Sequence, residues 1–418
     1  MFTRAAFLLV VLSASVIAQD WPQWRGPARN GHSPDKDLDL NWETNPPKLL
    51  WIKPGMGQGY AGVSVAGGMI YTTGNKDNSQ HVIAAKGDGE IAWSKGITEN
   101  APKHGFGGSR CTPTVDGQRL YVVSSDGQLA CMSAASGEVL WSKSFKQWKG
   151  RMMSSWGFSE SPLVDGDLVL CTPGGPKGMV VALNKLSGEQ VWASEAPSSK
   201  GEGKDGAGYS SIVVSNGGGV KQYVTLVGRG LIGVRASDGK LLWSYNQVAN
   251  ETANIPTPIC FGDFVFGSSG YDGGGSCLLK LGKEGDGVSA KEVYWLKRQT
   301  LQNHHGGMVK IGEHIYGGHG HNQGFPACLD IKAGKLAWGG AKTRGVGRGS
   351  AAVSAVGKNL IFRYQTGELA LIAASPEGYE LRGVMKPEFQ QGKTWAMPVI
   401  VGGKMYLREQ DKLMCYEL

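Results

Sequence analysis

The sequence lacks the signals of several common protein classes. No CxxC or CxxCH spacing occurs among its seven cysteines, which excludes a c-type haem attachment site and a zinc ribbon. No GxSxG is present, so the nucleophile elbow of the α/β-hydrolases is missing. No long stretch has apolar residues at a period of 3.6, and we therefore expect few helices. Lysine and arginine are scattered, not clustered with aromatic residues, which argues against nucleic-acid binding despite a formal net charge of +8.

Glycine, by contrast, is abundant, with 65 in 418 residues, about twice the usual share. Glycine supplies the positive φ that tight turns between antiparallel strands need. The stretch from Gly108 to Trp141 shows the unit: four short runs in which apolar and small or polar residues alternate, separated by DG, SDG and ASG. One such unit is a four-stranded meander of the size of a propeller blade.

The unit recurs along the chain at intervals of roughly 40 to 50 residues. Most copies end in a glycine followed by a short apolar run into tryptophan, and these tryptophans are Trp93, Trp141, Trp192, Trp243, Trp295 and Trp338. Counting the β-rich middle of each copy gives eight units, the last two without the terminal tryptophan.

The two ends of the chain complement each other. The last unit stops at Leu418 one strand short, while KLLWIK at Lys48–Lys53 resembles the end of a unit with nothing before it. We predict an all-β fold, a single eight-bladed β-propeller of four-stranded antiparallel blades, whose last blade is closed by Leu49–Ile52. Closure removes the exposed sheet edges. A stacked solenoid is the structural alternative, but it needs capping repeats instead of complementary halves.

The first residues have the pattern of a signal peptide. Arg4 gives the positive start, and the apolar stretch 5–17 is too short to span a bilayer. Val16-Ile17-Ala18 fits a cleavage site, and no cysteine follows it to carry a lipid. We expect a periplasmic or secreted protein that does not span the membrane, with cleavage near Ala18; an uncleaved anchor is the alternative.

These signals divide the chain into three parts: residues 1–18 as signal peptide, 19–47 as an N-terminal strap and 48–418 as the propeller. Asp20–Pro34 (DWPQWRGPARNGHSP) is rich in tryptophan, proline and glycine. We expect it to pack as a plug on one end of the propeller, with Arg25 bonded to backbone carbonyls. A lid over a ligand-binding mouth is the second interpretation.

The odd number of cysteines leaves at least one thiol unpaired in an exported protein. Cys111 with Cys131, or Cys260 with Cys277, could pair only if neighbouring strands bring their Cβ atoms within about 4.5 Å. We expect buried free thiols.

A candidate ligand site follows from the propeller geometry, because each innermost strand begins at one mouth of the central channel. Alignment of the units gives one entry residue per blade: Tyr60, Arg110, Ser159, Tyr209, Ile255, His305, Ser350 and Trp395. With their neighbours, the residues predicted to bind ligand are Tyr60, Arg110, Glu160, Tyr209, Asn254, His304, His305, Arg348 and Trp395. This set could hold a planar or polyhydroxylated ligand. A wet structural channel is the alternative.

Histidines concentrate in one segment, Asn303–Gly324, which holds five of the chain's eight. In the blade model His304 and His305 begin an inner strand, and His319 and His321 follow the second strand at the same end. His305, His319 and His321 are therefore candidate ligands for Zn²⁺ or Cu²⁺. An organic-ligand or proton-transfer role, or simple hydrogen-bonded loop histidines, are the other interpretations.

The repeat ends support a family resemblance. ACMSAASGEVLW, VALNKLSGEQVW and CLDIKAGKLAW resemble the A-x-D-x-x-x-G-x-x-x-W docking motif of pyrroloquinoline-quinone (PQQ)-like repeats. That group includes quinoprotein alcohol dehydrogenases and the outer-membrane assembly factor BamB, both eight-bladed. The resemblance implies that the six repeat-end tryptophans are structural and pack between adjacent blades. The opening DWPQWRGPARNG is similar to the start of exported quinoprotein-like propellers of planctomycete-type bacteria.

The resemblance to the quinoprotein enzymes would imply PQQ with Ca²⁺, a pair of adjacent cysteines, Glu and Asn ligands and an Asp base. The sequence has no adjacent cysteines, and no such Glu, Asn and Asp set can be matched to it. We therefore expect a monomeric, non-catalytic binding or assembly scaffold of the cell envelope, whose partner is an envelope protein or a small polar ligand. The alternative is a PQQ-dependent alcohol or sugar dehydrogenase, with its cofactor near Arg110, Tyr209, His305 and Trp395.

Overall fold

Eight four-stranded antiparallel sheets form a closed ring, as the repeat count predicted. The structure is a computed structural model that describes residues 20–38 and 40–418. The predicted signal peptide, Met1–Ala18, lies outside these residues. Among them, no helix has both the length and the apolar character needed to cross a membrane.

The N-terminal strand and the strands of blades 1 to 4 come first in the chain. They are β1 (Lys48–Lys53); β2 (Ser64–Ala66), β3 (Met69–Lys76), β4 (Ser79–Lys86) and β5 (Ile91–Gly96) in blade 1; β6 (Thr114–Asp116), β7 (Arg119–Val123), β8 (Gln128–Ser133) and β9 (Val139–Ser144) in blade 2; β10 (Leu163–Asp165), β11 (Leu168–Cys171), β12 (Val181–Asn184) and β13 (Gln190–Ala193) in blade 3; β14 (Val213–Ser215), β15 (Gln222–Val227), β16 (Gly230–Arg235) and β17 (Leu241–Tyr245) in blade 4.

Blades 5 to 8 complete the ring. Their strands are β18 (Ile259–Phe261), β19 (Phe264–Ser269), β20 (Gly275–Glu284) and β21 (Gly287–Lys297) in blade 5; β22 (Met308–Ile311), β23 (His314–His319), β24 (Phe325–Asp330) and β25 (Lys335–Gly339) in blade 6; β26 (Ala351–Val356), β27 (Asn359–Tyr364), β28 (Leu369–Ala373) and β29 (Leu381–Met385) in blade 7; β30 (Val399–Val401), β31 (Lys404–Glu409) and β32 (Lys412–Glu417) in blade 8. The described residues also contain three short 3₁₀ helices, at Phe145–Trp148, Gly217–Gly219 and Gly340–Lys342.

The ring closes by pairing the two ends of the chain. β1 pairs antiparallel with β32, with Lys48 opposite Glu417 and Ile52 opposite Met414, so blade 8 has the order β1-β32-β31-β30. This confirms the closure predicted for Leu49–Ile52.

The core lies between neighbouring blades. Cluster members such as Tyr71 of blade 1, Leu120 and Cys131 of blade 2 and Val169 of blade 3 are fully or almost fully buried and belong to one continuous apolar layer. In the described part of the chain all seven cysteines are free, and six are buried. The expectation of buried free thiols is confirmed.

Four of the six repeat-end tryptophans hydrogen-bond across a blade boundary. The Nε1 atoms of Trp93, Trp141, Trp192 and Trp338 donate to the backbone oxygens of Ala134 (3.1 Å), Lys185 (3.2 Å), Ala236 (3.1 Å) and Ser375 (2.8 Å), respectively. Trp141 also covers Gly188 in the turn of the next blade, where a Cβ would overlap its ring. This contact explains the Gly and Trp of the repeat motif.

Among the described residues, Trp243 and Trp295 make no hydrogen bond across a blade boundary, although both pack in the apolar cluster that blades 4 and 5 share. Trp243 donates to Gln222 Oε1 of its own blade (2.6 Å), because the long hairpin β20–β21 of blade 5 has no short docking turn. In blade 5 the bulge of the outer strand falls at Val293, two residues before the tryptophan, whereas in blade 2 it falls at Leu140, one residue before the tryptophan. Tyr294 therefore takes the docking position, lies on Gly334 and donates to Ile331 O (3.1 Å), while Trp295 covers Gly275 in its own blade.

Candidate functional site

A cavity of about 360 Å³ opens where the inner strands begin. Its walls contain residues from all eight blades and one residue of the N-terminal segment. The lining residues are Trp24, Tyr60, Gly62, Phe106, Arg110, Thr112, Trp156, Ser159, Tyr209, Ser211, Ile255, Pro256, Thr257, Tyr271, His304, His305, Gly306, Gly307, His321, Asn322, Ala352, Gln365, Lys393, Trp395 and Met397.

The cavity brings together most of the residues that the blade alignment selected. Tyr60, Arg110, Ser159, Tyr209, Ile255, His305 and Trp395 all line it, and His304 and His321 join them. The eighth entry residue, Ser350, lies behind the wall and bonds His304, with 2.8 Å between Ser350 Oγ and His304 Nδ1.

Three of the predicted ligand-binding residues do not line the cavity. Side chains alternate along an extended chain, so Glu160 and Asn254 point away where Ser159 and Ile255 point in. Asn254 Nδ2 donates to the backbone oxygens of Val227 (2.9 Å) and Gly228 (3.1 Å). Arg348 is exposed outside the cavity.

Buried Glu160 instead accepts a hydrogen bond from the Thr172 backbone N–H and lies near Arg29. Burial raises the pKa of Glu160 to about 7, and the Arg29 charge opposes this shift only in part.

Trp395 is the centre of an aromatic wall at the mouth. Its ring centroid lies 4.5 Å from that of Tyr60, 5.1 Å from Phe106 and 4.9 Å from His305. The Lys393 ammonium lies 4.5 Å from the Phe106 ring centroid and 5.8 Å from that of Trp395. This wall offers flat faces together with a positive charge.

Arg110 positions the loop that carries Phe106. Its guanidinium donates to the backbone oxygens of Gly105 (2.9 Å), Phe106 (2.6 Å) and Gly108 (3.3 Å). It also lies 5.7 Å from the Tyr60 ring centroid. Arg110 therefore supports the aromatic wall as well as contributing positive charge to the cavity.

Three histidines and Tyr271 extend this wall from His305, which contacts both Trp395 and His304. The His304 ring centroid lies 4.2 Å from His305, 4.3 Å from His321 and 4.8 Å from Tyr271. Burial and the neighbouring His305, His321 and Lys393 lower the pKa of His304 to about 2, and burial, His321 and Lys393 lower that of His305 to about 3. Both imidazoles are therefore neutral at physiological pH.

The predicted metal set is not assembled. His321 joins His304 and His305, but His319 is buried elsewhere and accepts from the Gln302 backbone N–H (3.3 Å) through Nδ1. His319 ends β23 with its side chain directed away from the channel. Within residues 20–38 and 40–418, no three His, Cys, Asp or Glu side chains are arranged to hold a metal ion.

The N-terminal segment closes the other end of the channel as a plug. Trp21 pairs with Val65, and Arg29 donates to Ser161 O (2.7 Å) and Pro162 O (3.0 Å), all at or beyond the middle of the inner-strand segments. Arg25 donates to the backbone oxygens of Asn30 (3.0 Å) and Met308, as expected from the sequence.

Trp24 of this plug forms the cavity floor. Two buried guanidinium groups lie near its ring, at 5.4 Å (Arg25) and 6.0 Å (Arg29) from the ring centroid. Sequence reasoning missed Trp24, as it missed Phe106, Trp156, Tyr271 and Lys393, because these residues lie outside the aligned entry positions. The only available signal was a surplus of tryptophans in a segment outside the repeats.

The lining residues do not suit a Ca²⁺-bound quinone. Ca²⁺ takes six to eight oxygen ligands and favours carboxylates. Among the described residues that line the cavity there is no Asp or Glu, and Glu160, the one carboxylate predicted for this mouth, points away from it. The described lining therefore lacks the carboxylate ligands that Ca²⁺ favours and a carboxylate base.

Comparison with known proteins assigns the chain to a family. The family model described as outer membrane protein assembly factor BamB matches residues 78–340. Among solved structures, the chain is similar to BamB from Moraxella catarrhalis, with 11% identity, a TM-score of 0.60 and coverage of 89% of this chain and 98% of that one.

Two enzyme structures are similar to a comparable degree. A europium-containing methanol dehydrogenase has 13% identity and a TM-score of 0.65, covering 96% of this chain and 98% of its own. The quinohemoprotein alcohol dehydrogenase from Comamonas testosteroni has 14% identity and a TM-score of 0.62, covering 96% and 80%. At these identities the likeness shows the fold alone. No curated protein matches the sequence.

Proposed function

We propose, because the chain belongs to the family of the outer membrane protein assembly factor BamB, that it is an exported, non-catalytic β-propeller that acts as a binding or assembly scaffold in the cell envelope. The observation that carries this proposal is the chemistry of the central cavity. Aromatic faces, neutral histidines and cations can bind a ligand. No carboxylate is present among the described residues of the lining, and the sequence has no adjacent cysteines that could support quinone chemistry.

Exposed apolar residues on two adjacent blades supply a surface for a protein partner. Val139 and Leu140 lie on β9 of blade 2, and Leu186 and Val191 lie on or just before β13 of blade 3. Leu186 is 56% exposed and Val191 is 54% exposed. Clustered apolar side chains on a surface favour contact with another protein, and an outer strand can also pair with an extended segment.

The proposal includes the cellular location and the oligomeric state of the protein. The Met1–Ala18 pattern directs the chain across a membrane and is then removed, which leaves a periplasmic or secreted monomer. The propeller would meet an envelope protein through its outer surface and a small polar ligand through its cavity. Neither contact requires the chain to span the membrane.

A second candidate is a PQQ-dependent alcohol or sugar dehydrogenase. The enzyme-like fold and the aromatic mouth favour it. In that case Arg110 and Lys393 would supply positive charge to the cofactor's carboxylates, and Tyr209, His305 and Trp395 would enclose its ring. The missing carboxylates are the reason why we place this function second.

Site-specific photo-crosslinking tests the scaffold proposal. A photoreactive residue at Leu186, introduced in the native host, should give one discrete adduct whose partner is an envelope protein. Val384, which is 51% exposed on β29 of blade 7, is the matched apolar control and should give none. The adduct should also be lost when Val191→Asp is added. Equal labelling at both positions, or no adduct at Leu186, would contradict the proposal.

A further inference from the structure

Hydroxyl side chains link the inner-strand segments of the first five blades. Each accepts a hydrogen bond from a backbone N–H of the preceding blade, at distances of 3.0 to 3.1 Å. The four pairs are Gly62 N with Thr112 Oγ1, Thr112 N with Ser161 Oγ, Ser161 N with Ser211 Oγ, and Ser211 N with Thr257 Oγ1. This arrangement, which we call the hydroxyl belt, aligns the blades around the channel.

Three members of the belt also face the cavity: Thr112, Ser211 and Thr257. A hydroxyl that accepts a hydrogen bond still has one proton to donate. In the described structure none of these three donates to another protein group. Each lies two residues beyond an entry residue, which is roughly 6 to 7 Å deeper along an extended chain. The belt therefore offers a set of unused donors inside the cavity.

The rest of the lining adds donors and positive charge but few acceptors. Lys393 makes no ion pair with any described residue. Gln365 Oε1 already accepts from Trp395 Nε1 (2.8 Å), which leaves the Gln365 amide N–H groups free. Below the floor, Nη1 of the buried Arg25 has no hydrogen-bond partner and lies against the lining residue Gly307. Buried polar groups normally have hydrogen-bond partners. This excess of donors therefore favours a ligand with many hydrogen-bond acceptors.

We infer that the cavity binds a small organic oxyanion, a ring compound with a carboxylate, sulfate or phosphate group, directly and without a metal ion. This inference rests on the proposed binding function and gives the ligand's chemistry. The oxyanion accepts from the belt hydroxyls and Lys393, and its ring packs on the faces of Tyr60 and Trp395. Burial is the main cause that lowers the pKa values of His304 and His305, and the positive charge of Lys393 contributes to both shifts. Hydrogen bonds from charged or hydroxyl donors to oxyanions are among the stronger ones in proteins.

Calorimetric titration of the mature protein with matched pairs of probes tests the charge requirement. Glucuronate is compared with glucose, and benzoate with benzamide, so that each pair differs mainly in the anionic group. We expect at least one anion to bind about tenfold or more tightly than its neutral partner, a difference typical of one charged hydrogen bond. The pair that binds shows whether the ring is a sugar or an aromatic. Equal binding of the neutral partners, or no binding by either anion, would overturn the inference.

Variants then locate the anion. Lys393→Gln and Thr257→Val should each weaken the binding of the preferred anion about tenfold. Thr257→Ser keeps the hydroxyl and should bind the anion more tightly than Thr257→Val, and the exposed Lys386→Gln, outside the cavity, should leave the affinity unchanged. Thr257→Val also leaves the Ser211 N–H unpaired, so its thermal unfolding is measured first; if it fails to fold, Lys393→Gln decides alone. Unchanged affinity in Lys393→Gln would overturn the assignment. Photo-crosslinking at Leu186 does not involve the cavity, so an adduct there without anion binding would reject this inference alone.

Discussion

Gly307 shows how a single residue joins the N-terminal plug to the cavity. It lines the cavity with φ +74°, and a Cβ at this position would overlap Nη1 of Arg25 beneath it. Gly312, in the next turn of the same blade, has φ +56° and open space around it. The two glycines thus share a backbone conformation but differ in what a side chain would meet.

Alanine substitution at the two glycines should separate these effects. Gly312→Ala should lower the free energy of unfolding by about 1 kcal/mol, the cost of positive φ for a residue with a Cβ. Gly307→Ala should cost about 1 to 3 kcal/mol more, because it displaces the buried Arg25. Denaturant unfolding of both variants measures the difference. Equal losses would mean that Arg25 is not held against Gly307.

Single residues also mark how far sequence reasoning reaches. The entry positions Tyr60, Tyr209 and Trp395 could be selected because repeat alignment fixes which residue begins each inner strand. Glu160 and Asn254 were selected wrongly because they adjoin entry positions, and alternation turns adjacent side chains to opposite sides. Phe106 and Lys393 could not be found, because their place at the mouth depends on loop conformations that the repeat does not specify.

In blade 7 a tryptophan of the N-terminal segment takes the place of the docking tryptophan that other blades carry on their outer strand. Blade 7 has no docking tryptophan of its own on β29. Trp42 of the N-terminal segment, which is only 4% exposed, packs on Gly383 of that strand and bonds its backbone N–H to Arg382 O (3.0 Å). It belongs to the apolar cluster between blades 7 and 8. The segment before β1 is therefore part of the propeller's core.

Removal of this side chain should destabilise the whole ring. Trp42→Ala leaves a large cavity in the core, and we expect the free energy of unfolding to fall by about 3 to 5 kcal/mol. Leu50→Ala, on the adjacent strand β1, removes a side chain that is 41% exposed and should cost under about 0.5 kcal/mol. Thermal or denaturant unfolding compares the two. A small effect of Trp42→Ala would show that blades 7 and 8 pack without it.

The strands could be predicted because the glycine turns and the two-residue alternation of apolar side chains repeat eight times. The residue that docks each blade on the next was harder to predict. In blade 5 the bulge lies one residue further ahead of the tryptophan than in blade 2, and Tyr294 therefore takes the position expected for Trp295. The sequence EVYW contains this change, but only the strand register shows its consequence.

At the scale of the whole molecule, the chain's two ends shape the central channel. β1 closes the ring from outside, and the plug closes the channel from one end, so that the cavity has a single floor formed by Trp24. The number of blades and their closure follow from the repeat count and the complementary ends. The floor did not follow, since the plug belongs to no repeat and its contacts are long-range.

The choice between a binding and a catalytic function also belongs to the scale of the whole molecule. A propeller fold is shared by scaffolds and by enzymes, so the fold cannot decide the function. Our proposal of a binding function rests on the cavity, which has donors, aromatic faces and cations but, among the described lining residues, no carboxylate. A dehydrogenase with Ca²⁺ and quinone would need the ligands that are missing.

The claim that the cavity binds ligands but does not carry out quinone catalysis is tested most directly by titrating the mature protein with PQQ, with and without Ca²⁺. Binding is monitored by thermal unfolding and by the absorbance of the quinone. A ligand at a hundredfold excess over Kd raises stability by about 2.7 kcal/mol. The quinone is itself an anion, so our account allows it to bind, but predicts the same shift with and without Ca²⁺ and no reduction of the quinone by alcohols or sugars. A shift that requires Ca²⁺, with substrate-dependent reduction of the bound quinone, would contradict the account and establish the dehydrogenase.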